Sequence, residues 1–118
     1  MNIEFSVNSI IVYDSNPQGQ FISPSSIIAK KFGANRNVLN GHSGYTFAVC
    51  THDLDQTDNK IPVSYIQQNL ISLCSFAFLN PEKTLYLPYF GGMPCFHSSF
   101  VIESIMPHLS GNIKRIRI

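Results

Sequence analysis

Short apolar runs and apolar residues at helical spacing alternate along this chain. Continuous apolar stretches, which are typical of strands covered on both faces, occupy residues 10–13, 45–51 and 85–87. Weaker alternation predicts a half-buried strand over residues 2–7 and a closing strand with one solvated face over residues 112–118. Turn-forming residues separate these segments, so the pattern favours several short strands.

Two of the segments between the strands have clear helix signals at their ends. Ser23 is a favourable N-cap and Pro24 a favourable first helical residue, so a helix is expected to begin there. Gly33 is a natural stop for it. A further helix is expected to open at residues 98–99 and to end at Pro107.

The segment around residue 70 has the strongest helical periodicity in the chain. Ser64 and Gln67 have capping-box spacing, whereas Pro62 marks an alternative and earlier start. The helix is expected to end near Asn80. Four apolar residues recur on one face at helical spacing: Ile66, Leu70, Leu73 and Ala77.

The predicted order of elements is β-β-α-β-α-β-α-β. Strands that alternate with helices favour an α/β fold, here a three-layer α/β/α sandwich with a mostly parallel mixed sheet. A length of 118 residues predicts a single domain covering 1–118. In such sheets ligands bind beyond the carboxyl ends of the strands, which directs attention to the loops that follow them.

Composition excludes several classes of function. The chain is 44% hydrophobic and 13% charged with a net charge of +1, which does not fit a disordered or nucleic-acid-binding protein. Its three cysteines lack C-x-x-C spacing and its four histidines are scattered, so we expect buried thiols and no metal site. The apolar run at residues 71–79 is too short to span a membrane, and no export signal is evident. We therefore expect a cytoplasmic protein without a cofactor or a membrane partner.

Two loops containing glycine lie beside apolar strands and form the centre of the functional hypothesis. Gly41 and Gly44 precede the strand at 45–51, where they could contact a ligand or could simply form a tight turn, and Gly91 and Gly92 follow the strand at 85–87. Glycine allows the main chain to approach a ligand closely, and successive amides can form an anion-binding nest. We therefore expect a pocket for a phosphorylated ligand between the loops. The first loop enters its strand, so it would lie at the opposite edge of the sheet unless the preceding segment folds across.

Several side chains in these loops are candidates for ligand contact. Asp14 and Asn16 follow the first buried strand, where each could bind a ligand or could stabilise its own turn. His42 is a candidate acid–base group or an exposed loop residue. Tyr89 could stack on a base or ribose or could pack in the core. The predicted ligand-binding set is Asp14, Asn16, Gly41, His42, Gly44, Tyr89, Gly91, Gly92 and Met93.

The order of these motifs resembles the macro-domain-like proteins of bacteria and phages, which are relatives of the ADP-ribose-binding macrodomains. The matching segments are Ser15-Asn16, Phe32-Gly33-Ala34, the run from Gly41 to Thr51, Phe90-Gly91-Gly92-Met93-Pro94 and Asn112-Ile113. The resemblance implies a macro-domain-like fold that holds ADP-ribose through loop amides. The chain departs from the family's Gly-Ala-rich first loop, where it has Gln20 to Ser25, and it lacks a third glycine near Cys95. Phe21 and its neighbours would obstruct close approach to a diphosphate.

The expected function is therefore a macro-domain-like module that binds ADP-ribose or a related nucleotide. Hydrolysis of an ADP-ribosyl derivative would need a positioned water, but no acid–base pair stands out, so enzyme activity stays open. The alternative is a non-catalytic interaction protein on a degenerate macro-like fold. It would be a phage-type protein that acts on a host or defence factor in the host cytoplasm.

Overall fold

The computed structural model describes residues 6–51, 61–88 and 110–117. Within these ranges the chain forms five strands and two helices. The elements in chain order are β1 (Ser9–Ser15), α1 (Pro24–Lys31), β2 (Gly41–Ser43), β3 (Thr46–Cys50), α2 (Val63–Leu79), β4 (Thr84–Pro88) and β5 (Ile113–Ile116). The predicted helix at 98–107 and most of the predicted strand at 2–7 lie outside the described residues. Val7, the one apolar residue of that strand inside them, lies in an exposed turn.

The five strands form one mixed sheet in the order β2-β3-β1-β4-β5. β1 pairs in parallel with β3 on one side and with β4 on the other, and β4 pairs in parallel with β5. Only β2 is antiparallel to its neighbour, β3. The prediction of an α/β fold with a mostly parallel mixed sheet is therefore confirmed for the described residues. β2 was expected to be part of a ligand loop, and it is instead the edge strand of a short hairpin.

Alternate residues of the central strand β1 pack against different helices. Ile10 and Val12 belong to a buried cluster that includes the apolar stripe of α2. Ile11 and Tyr13 belong to a second buried cluster that includes Ala29 of α1. Because successive side chains of a strand point to opposite faces, the two helices cover opposite faces of the sheet. This explains why residues 10–13 of β1 are apolar without a break.

α1 begins where its N-cap residue predicts. Ser23 Oγ accepts a hydrogen bond from Ser26 N at 3.1 Å, and Ser26 Oγ accepts one from Ser23 N at 2.9 Å. This reciprocal pair forms a capping box. Pro24 occupies the first helical position, where the missing N–H has no intrahelical acceptor to lose. The helix ends at Lys31, and Phe32 is its C-cap residue. Gly33 follows with a φ of +94°.

α2 begins earlier than the capping-box spacing predicted. Pro62 is its N-cap residue, and no side chain caps this end of the helix. Of the two predicted starts, the one at Pro62 is therefore confirmed and the cap at Ser64 is wrong, because Ser64 already lies within the first turn of the helix. The buried stripe is as predicted, since Ile66, Leu70, Leu73 and Ala77 are all fully buried. No helix in the described part of the chain is long and apolar enough to cross a membrane.

Candidate functional site

The strand order creates a topological switch point beside β1. The chain leaves β1 for its neighbour β3 by way of α1, and then returns by way of α2 to β4 on the other side of β1. β1 and β4 are therefore adjacent, parallel strands that the chain reaches from opposite sides. Crevices for ligands in open α/β sheets form at such points, beyond the carboxyl ends of the strands. Ser15 and Pro88 end the two strands and mark this edge, which we call the carboxyl edge.

This topology places some of the predicted site residues at or next to the ends of neighbouring strands in the sequence. Asp14 and Asn16 lie at the end of β1, and Tyr89 directly follows β4 in the sequence. The predicted contacts Tyr89, Gly91, Gly92 and Met93 lie outside the described residues, so their ligand role stays a prediction.

Asp14 is the most deeply buried acidic residue in the described part of the chain. Its side chain is 1% exposed. Asp14 Oδ1 accepts hydrogen bonds from Ser23 Oγ and, at 2.5 Å, from Ser25 Oγ, which ties the end of β1 to the start of α1. Asp14 Oδ2 is buried without a hydrogen-bond partner. Because an unsatisfied buried acceptor is costly, this oxygen is a place where a ligand hydroxyl or a water would be stabilising.

The side chain of Asn16 is used by its own turn. Asn16 Nδ2 donates to Gln20 O at 2.9 Å, and Asn16 Oδ1 accepts from Gln20 N at 3.1 Å. Of the two predicted roles, the structure therefore shows the turn-forming one. A contact with a ligand would have to use the second hydrogen of Asn16 Nδ2 or the second lone pair of Oδ1.

The space beside this turn is almost closed. The cavity between the Asn16 turn and the segment at residues 36–38 has a volume of about 10 Å³, which is enough for one water molecule. The Phe21 ring packs against that of Tyr13 with their centroids 6.1 Å apart, and Lys30 Nζ lies 5.9 Å from the Phe21 centroid. The larger residues of this loop thus obstruct the space, as their sequence predicted.

The start of α1 has few amide groups to offer an anion. Pro24 has no N–H, and Ser26 N and Ile27 N are bonded to Ser23 Oγ and Ser23 O respectively. A helix N-terminus attracts a phosphate through its unsatisfied amides. Because this helix caps itself, its N-terminus offers little to an anion.

Of the two roles predicted for Gly44, the structure shows the tight turn, and it adds a packing contact. Its φ is +54°, and an added Cβ would lie 2.9 Å from Gly33 Cα, Gly33 O and Phe32 O. Tyr45 N donates to Phe32 O at 2.9 Å across the same contact. Gly44 also lies at the edge where β3 begins, opposite the carboxyl edge. The expected pocket between the two glycine loops is therefore not formed at Gly44, because it faces the end of α1.

Gly41 and His42 lie on the edge strand. Gly41 pairs with Ala48, has a φ of +117° and leaves open space where a Cβ would be. The His42 ring stacks on Phe76 of α2 with the centroids 5.0 Å apart. His42 pairs with Phe47 in the middle of β3, so neither residue lies at the end of β1.

A second, larger cavity was not predicted from the sequence. It has a volume of about 200 Å³ and lies where β3 ends and α2 begins, and we call it the β3 cavity. Its lining is almost entirely apolar and consists of Pro17, Leu39, Cys50, Ile61, Pro62 and Tyr65. These residues come from four separate segments of the sequence, so no local motif could have predicted the cavity.

Asn40 organises the rim of the β3 cavity. Its Oδ1 accepts from Cys50 N at 2.9 Å, and its Nδ2 donates to Tyr65 Oη at 2.8 Å. The amide thereby joins the end of β3 to the first turn of α2. The sequence offered one signal for this role of Asn40, namely its position immediately before Gly41.

The titratable groups of the site show one large pKa shift. Burial, followed by the nearby charge of Asp14, raises the pKa of Tyr13 to about 12. Burial also raises the pKa of the Cys74 thiol, which makes this cysteine a poor nucleophile. Within residues 6–51, 61–88 and 110–117, no group of three or more histidine, cysteine or acidic side chains could hold a metal ion.

Comparison with known proteins supports the fold and is silent on the function. No protein-family model matches the chain, and no curated protein matches it significantly. The fold is similar to that of a crystallised protein from Bacteroides thetaiotaomicron, a Northeast Structural Genomics Consortium target, with a TM-score of 0.60 and 10% identity over 99% of this chain and 94% of that one. A protein of unknown function from the same organism has a TM-score of 0.59 and 10% identity over 98% and 90% of the two chains.

Proposed function

We propose that this protein binds ADP-ribose or a related nucleotide at the carboxyl edge, on a macro-domain-like three-layer α/β/α fold. The observation that carries the proposal is the switch point beside β1. It places β1 and β4 side by side and parallel, and the sequence that follows β4 contains Gly91 and Gly92. Helices on opposite faces of the sheet support the three-layer architecture.

The ligand would be held in two ways. Amides of the loop containing Gly91 and Gly92 would bind the diphosphate, because adjacent glycines can turn successive N–H groups toward one anion. Asp14 Oδ2, which has no partner, would accept a hydrogen bond from a ribose hydroxyl. Any hydrolysis would depend on positioning a water against the distal ribose, because no acid–base pair was found among the described residues near Asp14.

Thermal denaturation with ADP-ribose, NAD and a cyclic nucleotide tests the proposal. A ligand that binds only the folded state raises its stability by mass action, by about 2.7 kcal/mol at a hundredfold excess over Kd. We expect ADP-ribose to raise the melting temperature and Gly92→Val to abolish this shift. The control is Gly111→Val, because Gly111 has open space around its Cβ position. The proposal fails if no nucleotide at millimolar concentration changes melting of the unsubstituted protein.

The second candidate function is a phage-type interaction protein that acts on a host or defence factor without catalysis. It is favoured by the closed space beside Phe21 and by the surface of α2. That helix has no charged residue, and Phe78 and Leu79 near its end are 77% and 74% exposed. Such apolar exposure is common at protein interfaces.

The two candidates differ in a simple binding experiment. If the protein acts through α2, one host protein should be retained by the tagged chain and lost with Phe78→Ser. Ile27→Ser is the matched control, because Ile27 is exposed on the other helix. Retention that is equal for both variants would exclude α2 as the contact surface.

A further inference from the structure

We infer that the β3 cavity binds the planar heteroaromatic ring of the ligand, the nucleobase in the case of ADP-ribose. This inference rests on the proposed function and assigns a place to the part of the ligand that the carboxyl-edge loops do not hold. The β3 cavity contains none of the residues that the sequence pattern singled out for binding.

The size of the β3 cavity fits one ring system and not a whole nucleotide. Pockets that enclose drug-sized ligands usually measure about 300–1,000 Å³, whereas this one measures about 200 Å³. An apolar cavity of about 150 Å³ in another protein is large enough to bind benzene. The remainder of a nucleotide would therefore lie outside the β3 cavity.

The lining favours a flat, mostly apolar group. Two prolines and the Tyr65 ring provide flat surfaces, and Leu39 and Ile61 provide aliphatic ones. Aromatic rings prefer offset stacking or edge contacts with other rings, so Tyr65 at the rim suits a heterocycle better than a flexible aliphatic chain.

Tyr65 also gives the β3 cavity one directed polar group. Tyr65 Oη accepts a hydrogen bond from Asn40 Nδ2, and Asn40 is itself held by Cys50 N. This arrangement orients the phenol and leaves its own O–H hydrogen to be donated. A hydrogen-bond donor at the rim of an apolar cavity selects a ring that carries an acceptor, such as a purine ring nitrogen.

The position of the β3 cavity agrees with a ligand that extends along the carboxyl edge. Cys50 is the last residue of β3, and Pro17 lies just beyond the end of β1. β3 and β4 flank β1, so these two strands are separated by two interstrand spacings, or about 10 Å. Their ends lie farther apart than this, because Cys50 is level with Ser15 whereas β4 pairs with β1 only as far as Tyr86, opposite Ile11. A dinucleotide-sized molecule can span that distance, with its ring at β3 and its diphosphate at β4.

Isothermal titration calorimetry with ADP-ribose tests this assignment in four forms of the protein. Tyr65→Phe keeps the ring but removes the donor, and we expect it to weaken binding by about 3- to 10-fold. Leu39→Trp fills the cavity, and we expect it to weaken binding by more than tenfold. Tyr45→Phe is the matched control, because Tyr45 is an exposed tyrosine that does not line the cavity. Its affinity should equal that of the unsubstituted protein.

The possible results separate this inference from the proposed function. If the unsubstituted protein binds ADP-ribose and Leu39→Trp binds it equally well with an unchanged melting temperature, the ring lies elsewhere and only this inference is overturned. If Leu39→Trp does not fold, the result with Tyr65→Phe decides: unchanged affinity overturns the assignment, and a loss that is absent from Tyr45→Phe supports it. If the unsubstituted protein does not bind ADP-ribose, the proposed function and this inference both fail.

Discussion

Replacing Gly44 with alanine should destabilise the fold, because the added Cβ would clash with the main chain of Phe32 and Gly33. The turn between β2 and β3 lies against the residues that follow α1, and Gly44 faces Gly33 across this contact. A Cβ at Gly44 would lie 2.9 Å from three main-chain atoms, none of which belongs to a flexible side chain. Relief would therefore require the hairpin and the helix end to move apart.

Two costs contribute to the expected loss of stability. The left-handed conformation at Gly44, with φ of +54°, costs a residue with a side chain about 1–2 kcal/mol. Forcing extra volume into a close-packed contact costs typically about 1–3 kcal/mol more. Together they predict that Gly44→Ala lowers the free energy of unfolding by about 2–5 kcal/mol, which is a large fraction of the stability of a small domain.

Urea denaturation followed by circular dichroism measures this effect directly. The midpoint should fall while the slope stays the same, as expected when stability changes without a change in the unfolded state. Gly44→Asn separates the two costs, because asparagine tolerates positive φ but still places a Cβ against Gly33. It should recover only part of the loss. Gly111→Ala is the control, since Gly111 has neither a positive φ nor a close neighbour, and it should stay within about 0.5 kcal/mol of the original.

One result would refute this reasoning. If Gly44→Ala unfolds at the same urea concentration as the unsubstituted protein but loses affinity for ADP-ribose, the glycine serves a ligand and not the packing of α1. This result would instead support the prediction of a ligand pocket beside Gly41 and Gly44.

Three further predictions concern the anchors of the fold. Asn112 Nδ2 lies within hydrogen-bond distance of three carbonyl oxygens at the end of α2 and in the next turn, at 2.9, 3.1 and 2.9 Å, so one of its two hydrogens is shared between two of them. Asn112→Ala should therefore cost about 2 kcal/mol in urea denaturation, and a loss below about 0.5 kcal/mol would contradict its role as an anchor. Ser23→Ala removes the N-cap of α1 and a hydrogen bond to Asp14, so it should lower the free energy of unfolding by about 1–2 kcal/mol. Ser64→Ala is the control and should be neutral, because Ser64 caps no helix. Equal effects of the two substitutions would contradict the capping role of Ser23. Because the folded-state pKa of Tyr13, about 12, lies above its unfolded value of 10.0, the neutral phenol stabilises the native state fully below pH 10, and this stabilisation is lost as the pH rises to 12. Tyr13→Phe should therefore lose less stability than the unsubstituted protein between pH 10 and 12, and an identical alkaline decline would show that another group titrates.

The elements that the sequence predicted well are those that bury a continuous apolar surface. β1 is covered on both faces, so its run of apolar residues left one interpretation. α2 presents four fully buried residues at helical spacing, and α1 has both a capping serine and a proline at its start. In each case local propensity and tertiary packing favour the same structure, which is why the pattern sufficed.

β2 could not be predicted because its identity as a strand comes from its partner. It contains three residues, begins with glycine and has no apolar alternation, yet its main chain pairs with residues 46–48 of β3. The same limitation explains the interpretation of Gly44. A glycine in a turn indicates positive φ or a close approach, but the sequence does not say whether a ligand or the end of α1 comes close.

The candidate site was predictable only where strand ends define it. Asp14 directly follows the apolar run at residues 10–13, and the rule for parallel sheets predicted its place near the carboxyl end of β1. The β3 cavity is different, because its walls come from residues that are distant in sequence, such as Pro17 and Tyr65. The orientation of Tyr65 by Asn40 joins residues separated by 25 positions, and periodicity carries no information on such a contact.

The central claim is that a nucleotide binds at the carboxyl edge, beside the ends of β1 and β4. Amide chemical-shift changes in a ¹⁵N-labelled protein titrated with ADP-ribose test it most directly. We predict that the largest changes occur at Asp14, Ser15, Gly91 and Gly92, with Gly44 unaffected because it lies at the opposite edge. Changes that cluster around Gly44, or spectra that stay the same at millimolar ADP-ribose, would contradict the account.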